Sequence, residues 1–435
     1  MSSNALADQL HGARAILGSH RIGNAIARTA VFNVVAAAAG SLGGLIIARA
    51  VGPAVRGEYA AVTSWFGVLL VIGEVGQSAA ICFYVARHPH QARAYVATSR
   101  AILLVSGSVT LAVGLAGASV LAHGNADLAG AYRLAFGGSA FTFVGTSYAF
   151  SLQAASTRRW NLVRVSQPVL ALSGIVGLQM LRLLTLETAV GAMIAATAVQ
   201  LGYAYYFCRR SELAPGRARA DLVRPLASYG LAQIAAITPT VMNVYLSLLV
   251  LSQLVSPTAL GCYAVALSLI MVPVPLVSAI GYVAFPRLAA RSGVSADDHR
   301  MKRVAVAVSA AVSCAVLLPV AAIAYWLIPG VFGPAYREAI PLLWTLTPGG
   351  IFLACGQVVG DLLRGLGRPG LVAIAQGLAA VATVILLVAL LPSVGVAAAA
   401  IASSVAYGIA LAMLIRWLWR PPRPSEARHR RPRTA

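Results

Sequence analysis

Acidic side chains are scarce in this chain: Asp and Glu number 12 among 435 residues, against 33 Lys and Arg. Charge of either sign is rare too, at 10%, where a water-soluble domain carries about 25%. That deficit excludes an ordinary soluble protein. The five cysteines, Cys82, Cys208, Cys262, Cys314 and Cys355, fall in or beside apolar runs. Their spacing suits neither a zinc site nor a disulfide framework, and they read as small core residues. No phosphate-cradling loop, nucleophile elbow or metal cluster is present. His123 and Asp127, in the longest outer segment, have no evident catalytic partner, so an enzyme is not expected. The N-terminus has no short apolar segment followed by a cleavage site, which argues against a secretory signal.

What the chain does have is apolar length. Some 59% of its residues are hydrophobic, and its mean hydropathy is +0.81. A crossing of the hydrocarbon needs about 20 mostly apolar residues. Twelve such runs occur: 29–49, 59–86, 99–121, 131–156, 161–181, 188–208, 227–252, 259–284, 304–328, 338–362, 371–391 and 395–418. The expected fold is an all-α integral membrane protein of twelve transmembrane helices.

The net charge of +21 could suggest nucleic acid, but its distribution argues for topology. With both termini inside, 28 of the 33 Lys and Arg fall on inner segments. Only Arg49, Arg56, Arg133, Arg182 and Arg337 fall outside. This is the positive-inside pattern of a multi-pass protein of the cytoplasmic membrane, with cytoplasmic ends and no nucleic-acid partner.

A repeat divides the chain. Pro53, Gly57, Tyr59 and Ala60 recur 204 positions later as Pro257, Gly261, Tyr263 and Ala264, and Arg159, Leu162, Val163 and Gln167 recur as Arg368, Leu371, Val372 and Gln376 at a spacing of 209. Two homologous six-helix halves are expected, a layout typical of transporters. The boundaries are an N-terminal segment 1–28, a first lobe 29–208, a basic linker 209–226, a second lobe 227–418 and a basic tail 419–435. Residues 1–28 place Leu6, Leu10, Ala13 and Leu17 at helical spacing, which fits either an amphipathic helix on the inner leaflet or a frayed tail.

Candidate site residues are the polar groups inside the runs. Asn33 is the strongly polar residue of the first helix, which also carries Gly40-x-x-x-Gly44. Glu74 lies near the middle of the second, on one face with Ser64, Gly67, Gln77 and Ser78. An acid at that depth costs about 2.5–3.5 kcal/mol and normally faces a cavity or a bundle interior. The fourth helix aligns Ser139, Thr142, Thr146 and Gln153. The seventh aligns Tyr229, Gln233, Thr240, Asn243 and Ser247 in steps of 3, 4 and 7, a face that meets either a partner helix or a wet cavity. In the eighth, Pro273 and Pro275 free backbone carbonyls and form a candidate hinge. The tenth carries Thr347, Gln357 and the i,i+3 pair Asp361 and Arg364, read as a gate or a solvated ion pair.

Several of these segments together resemble a known family. Arg49-Ala50-Val51-Gly52-Pro53, then Gly57-Glu58-Tyr59, then Glu74-Val75-Gly76 are similar to the opening of lipid-linked oligosaccharide flippases. Gly261-Cys262-Tyr263, Phe285-Pro286-Arg287 and Gly367-Arg368 extend the likeness over residues 25 to 418. These flippases belong to the multidrug/oligosaccharidyl-lipid/polysaccharide exporter (MOP) superfamily. The resemblance implies two six-helix lobes around a V-shaped cavity that opens alternately inward and outward. The substrate it implies is a polyprenyl-pyrophosphate-linked glycan. Glu74 stands where relatives often carry Asp, and Arg49 and Glu58 match positions that would pair as the cavity closes. No arginine falls at the middle of a run, unlike relatives with several deep in the cavity.

The substrate cavity is therefore expected to involve Asn33, Glu74, Gln77, Thr146, Gln153, Gln233, Thr240, Asn243 and Gln357. Arg49, Glu58, Asp361 and Arg364 are the gate or ion-pair candidates. No cofactor is expected; coupling to H+, Na+ or the membrane potential are the options for energy. Expected partners are membrane lipid, the lipid-linked glycan and the glycosyltransferases or polymerase of its assembly. The competing reading is a cation-coupled multidrug exporter of the same fold.

Overall fold

The computed structural model describes residues 20–420 apart from 212, 214–215, 279 and 282–295. Side chains are described from 28 onward, save those of 30, 235–237, 239–241, 244 and 296–298. The N-terminal segment, the basic tail beyond 420 and Phe285-Pro286-Arg287 lie outside the described residues.

Among the described residues the regular structure is entirely helical. We label twelve helices: α1 (20–51), α2 (53–73, resuming as Gln77–Arg87), α3 (Ala92–Leu121), α4 (Ala126–Ala155), α5 (Thr157–Met180) and α6 (Leu186–Arg210) form the first set. The second is α7 (Val223–Leu254), α8 (Pro257–Ile270, resuming at 273), α9 (Ala296–Ala322), α10 (Ala339–Gly365), α11 (Pro369–Val394) and α12 (Ala397–Leu418). A short helix, Ala324–Val331, follows α9. Eight helical stretches are long and apolar enough to span a bilayer, one of them (31–73) holding both α1 and the start of α2.

Local chemistry sets the starts of these helices. The Asn125 side chain accepts from the amides of Asp127 and Leu128, Ser156 caps α5, Thr185 and Thr188 close a reciprocal box on α6, and Ser256 caps α8. Each satisfies backbone donors that hydrocarbon would leave unpaired. Gly52, at φ 78°, turns the chain between α1 and α2.

The same packing is built twice. In the first set α1 packs on α5, α3 on α4, α4 on α6 and α5 on α6. In the second, α7 packs on α11, α9 on α10, α10 on α12 and α11 on α12. Adding six to each label converts one list into the other, so the halves are pseudo-symmetric six-helix lobes. Small residues permit the close crossings: Gly107 and Gly114 of α3 lie beneath Phe143 and Phe136 of α4, and Gly349 of α10 lies against Ser404 of α12.

The outer faces identify the solvent. On α11, Ile374, Leu378, Val381, Ile385 and Val388 follow helical steps of 4, 3, 4 and 3, and all are exposed. Val105, Val109 and Val113 do the same on α3. Such apolar stripes are stable only against lipid. At the end of the bundle rich in arginine, exposed Tyr205 and Tyr206 lie under Arg209 and Arg210, as expected where a helix leaves the hydrocarbon. We call this the basic end. There the connection to α7 is tied to α3 by Gly216 N–H donating to Arg93 O at 3.0 Å and Arg219 N–H to Thr98 Oγ1 at 3.0 Å. Arg219 also donates to Asp221 and holds that exposed carboxyl below its ordinary range.

Candidate substrate cavity

The lobes meet along α2, α7 and α8. At the end opposite the basic one, the repeated Pro-x-x-x-Gly segments interlock. A Cβ on Gly57 would lie 1.9 Å from the carbonyl oxygen of Pro257, and one on Gly261 would lie 1.9 Å from that of Pro53. Each glycine is thus the seat for the other lobe's proline carbonyl. Arg49 donates to the carbonyls of Gly330 and Val331 at 3.1 and 3.2 Å, and the Tyr336 hydroxyl donates to Ala48 O at 2.9 Å. Lower down, Trp65 Nε1 donates to Ser252 Oγ at 3.1 Å. These contacts seal that end.

Beneath the seal lies a central cavity of about 330 Å³. Its walls come from both lobes: Gly40, Gly43 and Gly44 of α1, Thr63 and Ser64 of α2, Gln167 of α5, Tyr245 of α7, and Ser268 of α8. Arg56 lines it as well. Its guanidinium reaches toward Gly44 and lies 6.0 Å from the Tyr59 ring centre, while its Nε is buried without a hydrogen-bond partner. No described carboxylate pairs with it. The charge pattern places Arg56 on the outer side of the membrane; the structure adds the direction of its side chain, on the cavity-facing side of α2 with Ala60, Thr63 and Ser64. That spacing of three to four was the available signal.

Three further hollows lie toward the basic end and share no wall residue with the central cavity. One of about 310 Å³ is lined by Asn33, Arg164, Pro275 and Ser278, between α1, α5 and α8. Asn33 there accepts from Arg164. A second, of about 230 Å³, lies inside the first lobe, lined by Glu74, Thr142, Thr146, Trp160, Arg164 and Gln200. A third, of about 370 Å³, contains Gln153 with Phe83, Phe150 and Tyr229. Phe150 and Arg164 are shared walls, so the hollows form a chain around the inner half of the interface.

Glu74 sits at a break in α2. Val75 (φ 50°) and Gly76 (φ 64°) take left-handed backbone, and the helix resumes at Gln77. The Glu74 carboxylate accepts from Ser78 N–H at 2.7 Å, capping the resumed helix. The break also touches the other lobe: a Cβ on Gly76 would lie 2.1 Å from Gly230 O. Sequence reading places Glu74 in a continuous helix; the flanking Gly73 and Gly76 were the sign of the interruption.

The other candidates divide. Gln77 is buried and donates to Leu226 O at 3.4 Å, so it joins the lobe contact and lines none of the hollows. Asn243, expected at the cavity, lines none of these hollows. It is 2% exposed and donates to Gln376 at 2.8 Å, with Ser247 on Ser403 beside it. Asn243 and Ser247 of the α7 stripe therefore face α11 and α12, whose polar groups satisfy them in place of water, whereas Tyr229 at the other end of the stripe lies against Phe83. Gln233 and Gln357 are half-buried and line none of these hollows. The side chain of Thr240 lies outside the described residues. Arg49 pairs with carbonyls across the lobes, and Glu58 forms no described ion pair. Asp361 and Arg364 do pair, at 2.6 Å, with Asp361 wedged against Gly281 of α8. Helix α8 is interrupted at Met271 and Val272, directly before Pro273, because neither Pro273 nor Pro275 can donate to the preceding turn.

Two duplicated six-helix lobes with a cavity on their interface make the fold seen in solved transporters of the MOP superfamily. The polysaccharide biosynthesis protein family matches residues 22–292, more than half of the chain, and the chain belongs to that family. Among solved structures, an inward-facing multidrug resistance MATE family transporter of the MOP superfamily superposes with a TM-score of 0.74 at 14% identity, covering 88% of this chain and 93% of its own. The lipid II flippase MurJ in an inward closed conformation also gives 0.74, at 11% identity, with 92% and 89% covered. An outward-facing MATE transporter gives 0.66 at 16% identity, with 91% and 94% covered. No curated protein matches the chain.

Proposed function

We propose that the protein flips a polyprenyl-pyrophosphate-linked oligosaccharide, a precursor of a cell-surface polysaccharide, between leaflets of the cytoplasmic membrane. The substrate enters at the basic, cytoplasmic end and leaves at the sealed end after the lobes exchange which side is open. Family membership and the likeness to a lipid II flippase support the class of cargo. The observation that carries the reading is Arg56. A guanidinium held in a membrane cavity without a carboxylate costs several kcal/mol, a cost that an anionic ligand offsets. Arg164, beside Asn33 at the hollow between α1 and α8, supplies a second cation near the basic end. A pyrophosphate would meet Arg164 first and Arg56 in the central cavity, and the hydroxyls and amides lining that cavity suit a glycan. The space between α1 and α8 lets the lipid tail remain outside.

The sign of the charge also weighs against export of cationic drugs. Glu74, the acid such an exporter would use as an ion site, lies within the first lobe and caps a helix. The test is reconstitution in liposomes with a fluorescent undecaprenyl-pyrophosphate-linked oligosaccharide. Wild-type protein is expected to move it across the bilayer, and Arg56→Ala to slow the movement about tenfold or more, the loss of one charge-assisted contact. Transport of a cationic dye without transport of the glycan lipid would overturn the reading.

A further inference from the structure

Resting on that reading, we infer that the hollow of Phe83, Phe150 and Tyr229 at the basic end is a sugar-ring subsite. It holds the first saccharide of the lipid-linked glycan before the pyrophosphate reaches the central cavity. The hollow lies between the resumed part of α2, α4 and α7, and its volume of about 370 Å³ accommodates a hexose unit.

Three observations carry this. Phe83 and Tyr229 stack face to face with centroids 4.7 Å apart and planes 16° apart, and Phe83 remains 36% exposed. Phe150 closes the opposite wall and is itself backed by Trp160 at 6.5 Å. A pyranose ring is amphipathic in the same way: its faces present C–H groups and its rim presents hydroxyls. Aromatic faces cover the former, and isolated polar groups at the edge satisfy the latter. Those polar groups are present. Neither the Gln153 carboxamide nor the Tyr229 hydroxyl hydrogen-bonds to any described residue, although both line the hollow. An acyl chain would not need them.

Charge is placed consistently. Arg87 lies 5.7 Å from the Phe83 ring centre and Arg164 4.4 Å from that of Trp160, so a cation flanks each side of the aromatic wall. Arg87 sits on a lining ring and Arg164 on the ring behind Phe150, so positive charge borders the hollow without lining it. The rings come from both lobes, Phe83 and Phe150 from the first and Tyr229 from the second. Any change in lobe spacing therefore alters the site.

The experiment compares two probes on the full-length protein in nanodiscs: undecaprenyl pyrophosphate carrying one N-acetylglucosamine, and bare undecaprenyl pyrophosphate. The sugar-bearing lipid is expected to bind wild-type protein about tenfold more tightly, the scale of one to two aromatic contacts. Phe83→Leu and Tyr229→Leu should each bring the two affinities close to parity, while Phe83→Trp keeps the difference. Unchanged binding of the bare lipid shows that the variants are folded. If the sugar adds no affinity to wild type, or if the leucine variants preserve its advantage, the subsite is wrong. If neither lipid binds wild-type protein, it is the flippase reading that fails.

Discussion

Asn243 and Arg56 show how one polar residue acquires its meaning from the face it occupies. Both interrupt apolar helices. Asn243 finds Gln376 at 2.8 Å and disappears into the second lobe, whereas Arg56 turns toward the space between the lobes. The consequence for Asn243 is structural. Replacing it by Leu leaves the Gln376 carbonyl without its donor, a loss of about 1 kcal/mol. The expected result is a lower thermal midpoint in detergent with glycan-lipid affinity unchanged, and partial recovery when Gln376→Leu is added. A loss of affinity at wild-type thermal stability would return Asn243 to the cavity. In the sequence the two cases look alike, because a hydrogen-bonded stripe on a membrane helix can meet a partner helix or water equally well. For Arg56 the helical spacing to Thr63 was the one clue, because near a helix end charge counting registers the side of the membrane but not the direction of the side chain.

At the scale of the helix, the two interruptions have different chemical origins. In α8 the prolines remove donors and the carbonyls of the preceding turn are released. In α2 no proline is involved; Val75 and Gly76 rotate into left-handed backbone and the Glu74 carboxylate caps the segment that begins at Gln77. A carboxylate at the start of a helix is favoured by the exposed amides there. Glu74→Ala should therefore impair glycan export in cells while membrane insertion persists, and Glu74→Gln, which keeps an acceptor for Ser78, should restore most of it. Equal loss in both would assign the role to the charge instead of the cap. The twelve apolar runs and the proline break were legible, since hydropathy and missing donors are local properties. The α2 break was marked only by Gly73 and Gly76, and its contact with Gly230 of the other lobe is not a local property.

At the scale of the molecule, the duplication seen at spacings of 204 and 209 becomes two lobes with the same internal contacts. The first of those repeats turns out to be the place where the halves touch. The interlock makes a symmetric prediction. Gly57→Ala and Gly261→Ala each place a methyl 1.9 Å from a carbonyl of the opposite lobe, so each should part the lobes at that end. Distances between spin labels across the sealed end should lengthen to a similar extent in both variants. A shift in one and none in the other would show that the halves are not equivalent there. What the repeat could not reveal is which residues lie between the lobes, since that depends on the direction in which each helix faces its neighbours.

A carbonyl resting on a bare Cα has no strongly directional bond to break. Two such seats hold by dispersion and weak C–H···O attraction, on the order of 1 kcal/mol or less each. Steric fit keeps the halves in register there, yet pulling them apart strands no buried ion pair. Parting that end breaks the Arg49, Tyr336 and Trp65 hydrogen bonds, whose groups water can satisfy instead, so the doorway excludes solvent without the halves being locked together.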